Sequence, residues 1–343
     1  MMTKLRGNAL MAGIAGLALM GLAAGTAAEP AKELHILWAG GQWADAVDEC
    51  VHKPLLEQYG IKAIHESPAG LAKMQAMIES GNITATAFDL PTDELQRAVA
   101  LGLLQKIDWE KIDPYPMFEE AKHEYGAGVA YYSTIMAWRD GVKEPKDWFD
   151  FFNTESFPGK RALPDYPGFV LPFAALGDGV PVNELFPLDL DRAFKTLERV
   201  KDDTIWWQAG SQPPQLLQDN EAQYAISWSG RVVGKEGVKT SFNQGMLDIS
   251  WFGIPKGADP AEVEAAWIWL KLQTDAKIQA CVAQYISYTG PSPDLDPLLP
   301  QDKLHEYPTT AANKKVQWLA DSEWWYENAD EIERRWQEFK LAQ

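Results

Sequence analysis

The chain has 343 residues, 46% of them hydrophobic and 23% charged. These proportions exclude disorder of the chain as a whole, and at roughly 100–200 residues per domain the length suggests two lobes. The formal charge of −18 opposes binding to a phosphate backbone, which needs clustered Lys and Arg; such acidity serves solubility and does not by itself imply a cationic partner.

Residues 1–28 carry Lys4 and Arg6, an apolar run over 9–24, and the small stretch Gly25-Thr26-Ala27-Ala28 ahead of the first acid, Glu29. This is the layout of a secretory signal, so cleavage near Ala28 and a periplasmic mature protein are expected. A second run approaching the about 20 apolar residues of a bilayer span is absent from the sequence. Residues 33–38 read as a short strand, followed by Gly40-Gly41 and a helix with Trp43, Val47, Cys50, Val51 and Leu55 at three-to-four spacing. A second strand is expected over 61–65. Ser67-Pro68 then reads as an N-cap with Pro at the first helical position. A third strand over 85–90 leads into a helix over 93–103.

Strand–helix alternation at this pitch predicts a largely parallel, helix-covered sheet. Ligands bind outside the carboxyl ends of such strands, which draws notice to Trp43, Ser67 and Asp89/Thr92. Residues 129–138 form a long strand-like stretch. A second segment follows, with helices expected over 191–201 and 214–220 and strands over 204–207 and 222–228. Residues 247–255 are again strand-like, and 259–285 and 313–340 are helical in pattern. The economical reading is α/β with two lobes, the chain crossing near 130–138 and returning near 247–255.

Signals for metal or nucleophile chemistry are thin. Cys50 and Cys281 are too few and too distant for a zinc framework. Both lie on apolar helical faces, which suits a disulfide in an exported protein and buried thiols equally. The five histidines are scattered, without a His-x-x-x-His pair. Gly126-Ala-Gly128-Val-Ala-Tyr131 has Tyr where a dinucleotide loop needs its third Gly, and no Gly-x-Ser-x-Gly elbow occurs. No cofactor, no metal and no catalysis are expected.

Tryptophan is the abundant signal, with 15 residues. Trp267 and Trp269 fit a helical core. Trp43, Trp207, Trp228 and Trp251 fall at strand ends or in the returning strand, where aromatic walls pack alkyl chains or hold ammonium groups at about 0.5–2 kcal/mol each. Arg231 follows Ser227-Trp228-Ser229-Gly230, so a turn presents it beside an aromatic, poised to grip a carboxylate bidentately. Asp165 is a candidate for a ligand amine.

The layout resembles the extracellular solute-binding proteins of ABC importers, of the spermidine/putrescine-binding type. The resemblance rests on the opening strand with Gly40-Gly41, Phe88-Asp89-Leu90 and Gly102-Leu-Leu-Gln-Lys-Ile-Asp108. It is extended by Phe157-Pro-Gly-Lys-Arg-Ala-Leu-Pro-Asp165, Ala225-Ile-Ser-Trp-Ser-Gly-Arg231, Trp251-Phe-Gly-Ile-Pro255 and Tyr288-Thr-Gly-Pro291. It implies a type II periplasmic binding protein: two lobes joined by crossing strands, a ligand cleft between them, and delivery of one small solute to a membrane permease, with a monomer expected. The lobes are expected at 29–133 plus 252–343 and at 134–251.

Two departures bear on the solute. Ser250 stands near the place of a polyamine-binding acid, and Arg231 stands where polyamine binders have a small neutral residue. A cation there repels a di- or tri-cation, so an ω-amino acid such as 4-aminobutyrate is the expected ligand. A polyamine with Arg231 turned outward is the alternative, and a secreted hydrolase is the alternative of another class. The expected ligand residues are Trp43, Asp89, Tyr132, Ser133, Asp165, Trp207, Ser211, Trp228, Arg231 and Trp251.

Overall fold

The computed structural model describes Met1, residues 28–38 and residues 40–342. The expected secretory segment falls almost wholly outside them. The strands are β1 (Glu33–Leu37), β2 (Lys62–Glu66), β3 (Ala87–Leu90), β4 (Ala127–Arg139), β5 (Arg161–Pro164), β6 (Thr204–Trp207), β7 (Tyr224–Trp228) and β8 (Val238–Gly253), with a short β9 (Trp318–Leu319); β5 and β9 were not among the expected strands. Their order is β2-β1-β3-β8-β4-β7-β5-β6, with β9 beside β8.

Both ends of the sheet are parallel: β1 pairs with β2 and β3, and β5 with β6 and β7. Between them β4 and β8 run antiparallel over a long register, from Ala127 opposite Phe252 to Arg139 opposite Val238. These two strands carry the chain from one lobe to the other and back. Breaks in their register between Gly128 and Ala130 and between Thr134 and Met136 bend the pair where the lobes meet.

Each lobe has its own core. In the first, Trp38, Phe252 and Trp269 pack with the helix that carries Val47 and Val51, and Phe88, Leu95 and Trp251 fill the other face of the sheet. In the second, Trp148, Phe151, Phe173 and Tyr224 pack on one face and Ile135, Trp207 and Ala225 on the other. Cys50 and Cys281 form a disulfide with Cα atoms 5.8 Å apart. Both cysteines lie in the first lobe.

Three details depart from the expected pattern. The helix after β2 begins at Leu71, because Gly70 at φ 145° sets a turn before it, and the Ser67–Pro68 peptide is cis. The expected helix over 259–285 is two, Pro260–Gln273 and Ala276–Val282, the second capped by Asp275. The chain's end also departs from the expected partition, which gave all of 252–343 to the first lobe. Trp318, Trp324, Trp336 and Phe339 pack against the second core, so we place 318–342 with 134–251. Among the described residues no helix is long and apolar enough to cross a membrane.

Candidate functional site

A cavity of about 180 Å³ opens where the two lobes face each other, lined by Trp43, Asp89, Pro91, Tyr132, Phe169, Trp228, Arg231, Ser250 and Tyr288. Its size suits a solute of amino-acid dimensions better than a drug-sized molecule. The strand tips build it. Gly40 and Gly41, at φ 68° and 65°, make the left-handed turn that glycine enters without cost, and this turn starts the helix bearing Trp43. Asp89 is the penultimate residue of β3, and Pro91 follows the strand. Across the cleft, Trp228 ends β7 and the helical turn Ser229–Val232 presents Arg231.

Two aromatic walls result. From the first lobe, Tyr288 stands edge-on to Trp43 with ring centres 5.9 Å apart and also 5.9 Å from Tyr132. From the second, Trp228 meets Phe169 edge-on at 5.8 Å. Strand alternation in β8 turns Ser250 toward the cavity and Trp251 into the first-lobe core. Ser250 Oγ donates to Asp89 Oδ1 at 2.5 Å.

Opposite charges share this space. The buried Nε–H of Arg231 has no hydrogen-bond partner, and no ion pair involves Arg231 among the described residues. Arg161, the other arginine of the second-lobe interior, is fully buried but donates to the carbonyls of Phe151 and Phe157 at 3.1 and 2.6 Å. Asp89 supplies the anion. Tyr288 lies beside both charges; burial raises its hydroxyl pKa, Arg231 pulls it down and Asp89 pushes it up. The Tyr132 hydroxyl is pushed well up by burial and by Asp248, to which it donates at 2.8 Å.

Of the ten expected ligand residues, Trp43, Asp89, Tyr132, Trp228 and Arg231 line the cavity. The other five lie outside its lining for identifiable reasons. Ser133 is fully buried, its Oγ bonded to Gln317 and its amide to Ser229. Asp165 pairs with Lys340 of the last helix at 3.1 Å and accepts from Gln208. Trp207 is 1% exposed, donates to the Ile226 carbonyl and backs the Trp228 ring at 5.1 Å. Ser211 precedes helix Gln212–Gln218 in a loop whose Gly210 lies against Trp228 and Arg231. Trp251 donates to Thr92 Oγ1 at 2.9 Å inside the first core.

Pro91, Phe169, Ser250 and Tyr288 were not among the expected ligand residues. Tyr288 sat in a quoted stretch of the resemblance. Phe169 ends the single 3-10 turn Pro167–Phe169, too short for a periodic pattern, so no local signal marked it.

The fold also gathers Asp48, His52 and His65. His65 Nδ1 accepts the Trp38 indole N–H at 3.2 Å, which puts its proton on Nε2, facing Asp48 at 3.1 Å. His52 Nδ1 faces the same carboxylate at 2.7 Å, and burial lowers the His52 pKa. Asp48 therefore bridges the two imidazole rings.

Comparison with known proteins places this geometry. The family model for bacterial extracellular solute-binding proteins matches residues 52–313. The chain is similar to the gamma-aminobutyric acid-binding protein of Pseudomonas aeruginosa, 29% identical over 334 residues that cover 93% of this chain and 94% of that one. It is similar to the solved Atu4243–GABA receptor, with 32% identity, a TM-score of 0.82 and coverage of 90% of this chain and 97% of the other. An ABC transporter substrate-binding protein from Bradyrhizobium japonicum is 30% identical, with a TM-score of 0.83 and coverage of 90% and 99%.

Proposed function

The chain belongs to the bacterial extracellular solute-binding protein family, and from that premise we propose that it is the periplasmic capture component of an ABC importer for an ω-amino acid of the 4-aminobutyrate type. The observation that carries the solute class is Arg231, a guanidinium in the cleft without a carboxylate partner among the described residues in a chain with 49 acids. A carboxylate of the solute completes it, with two parallel charge-assisted bonds. Asp89 faces the amine, and the rings of Trp43, Tyr288, Phe169 and Trp228 enclose the methylenes.

This arrangement supports capture by closure. Arg231 belongs to the second lobe and Asp89 to the first, so one zwitterion bridges both only when they approach, and binding shifts the population toward the closed state. The crossing strands β4 and β8 are the hinge. The polyamine alternative required Arg231 to turn outward into a salt bridge, and its place in the cleft favours the zwitterion instead. Capture without turnover follows from the same reading, as do a cleaved leader ending near Ala28 and a permease partner.

The test is titration calorimetry of residues 29–343 with 4-aminobutyrate, putrescine and spermidine. Heat with 4-aminobutyrate and none with the polyamines is expected. Binding of polyamines alone refutes the zwitterion reading, and appearance of a product on incubation refutes capture without turnover.

A further inference from the structure

Asp248 lies in β8, 4% exposed, where the crossing strands pass under the cleft. Its partners are three neutral donors. The Thr92 hydroxyl donates from the start of helix Thr92–Ala100, the Tyr132 hydroxyl donates from β4 at 2.8 Å, and the Ile249 amide donates at 2.7 Å. Thr92 Oγ1 in turn accepts the Trp251 indole N–H. Asp93 is the charged group facing Asp248 from the helix, and Tyr132 is the titratable one on β4. Segments 167–169 and 318–325 contribute Phe169, Ala320 and Trp325 around it. One carboxylate thus holds a ring of the cleft wall, Tyr132, and the corner carrying Pro91, both of which line the cavity.

We propose that Asp248 is a positioning residue of the solute cleft: without touching the solute it orients Tyr132 and the Pro91–Thr92 corner, and solute affinity follows its ionisation. The inference rests on reading this cleft as a solute site. A protonated carboxyl must donate its hydrogen, yet its three neighbours already donate to it, so a hydroxyl of Tyr132 or Thr92 has to give up its donor role there and turn its hydrogen elsewhere. Burial, opposed by those hydrogen bonds, raises the Asp248 pKa to about 6. An ω-amino acid keeps both charges across that range, its carboxyl titrating near 4.3 and its amine near 10.4 by the reference values of about those sizes.

The experiment measures 4-aminobutyrate affinity from pH 7.5 to 5.0 and follows the Trp251 indole N–H resonance of the solute-free protein over the same range. The wild type is expected to lose roughly threefold to tenfold in affinity on acidification, the scale of one ordinary hydrogen bond, with the resonance shifting in step. Asp248→Asn is expected to bind weakly and without pH dependence, with a flat resonance. Should that variant not fold, Thr92→Val flattens the titration and Thr92→Ser preserves it. A resonance that does not titrate, or titrates equally in D248N, overturns the proposal. So does an affinity independent of pH in a wild type that binds 4-aminobutyrate. Failure of 4-aminobutyrate to bind at any pH refutes the ω-amino-acid reading instead, and the indole titration then decides the role of Asp248 alone.

Discussion

Replacing Arg231 with Ala tests the solute reading where its energy is concentrated. The guanidinium is half-buried, its Nε–H is unpaired, and its Nη1 lies 3.6 Å from where a Cβ on Gly41 would stand, so it reaches across to the first-lobe loop. A unit charge pair at about 4 Å is worth about 4 kcal/mol at an effective dielectric of about 20. Hydrogen bonds to charged groups contribute about 1.5–3 kcal/mol each. With two such bonds, offset by desolvation of both partners, the loss should be about 2–4 kcal/mol, or roughly 30- to 1,000-fold in Kd. The solute-free variant should melt no lower than the wild type, because truncation also removes an unsatisfied buried donor. Calorimetry with 4-aminobutyrate gives the affinity. Arg231→Lys should fall between, since an ammonium keeps the charge and loses the planar fork. A change within threefold in R231A would show that the carboxylate is held elsewhere.

Other outcomes follow from the same geometry. A Cβ on Gly230 would stand 2.6 Å from the Tyr288 ring and 2.7 Å from Ile286, so Gly230→Ala should push Tyr288 out of place and weaken binding at least tenfold by calorimetry, roughly the 1.4 kcal/mol that a factor of ten represents. Reducing the Cys50–Cys281 bridge should lower unfolding stability in urea by about 2–5 kcal/mol and leave solute affinity unchanged, because both cysteines lie in one lobe. Asp248 gives stability a pH dependence opposite to that of affinity. Its folded pKa of about 6 exceeds the unfolded value of about 3.9, so the folded state holds the proton more tightly. The contribution is fully present below about pH 4 and is lost as pH rises through 6, by up to about 3 kcal/mol. Urea unfolding between those limits should show this slope in the wild type and its loss in D248N.

The parallel ends of the sheet were legible because each strand–helix pair of the first lobe carries its own period, and so was the crossing of residues 129–138 and 247–255. The cleft was legible where strands end: Trp43, Asp89, Trp228 and Arg231 sit at or just beyond strand ends, and such ends face ligands in open α/β sheets. What escaped notice depended on distant partners. Asp165 reads as a partner for a ligand amine until Lys340, far along the chain, pairs with it. Trp207 and Trp228 read alike as strand-end aromatics, yet Trp207 sits behind Trp228 because the second-lobe core claims it. Trp251 went to the core because β8 alternation turned Ser250, not its larger neighbour, outward. The tail's amphipathic pattern announced a helix but not which lobe its apolar face would cover.

That tail has a consequence for how the protein is made. Ile332, Trp336 and Phe339 complete the core that Phe194 and Trp206 begin, more than a hundred residues earlier in the chain. Until synthesis has passed residue 339, those rings lack their cover, and the second lobe cannot finish folding however early its own strands are made. A core whose strands are made early is thus closed by a helix made late.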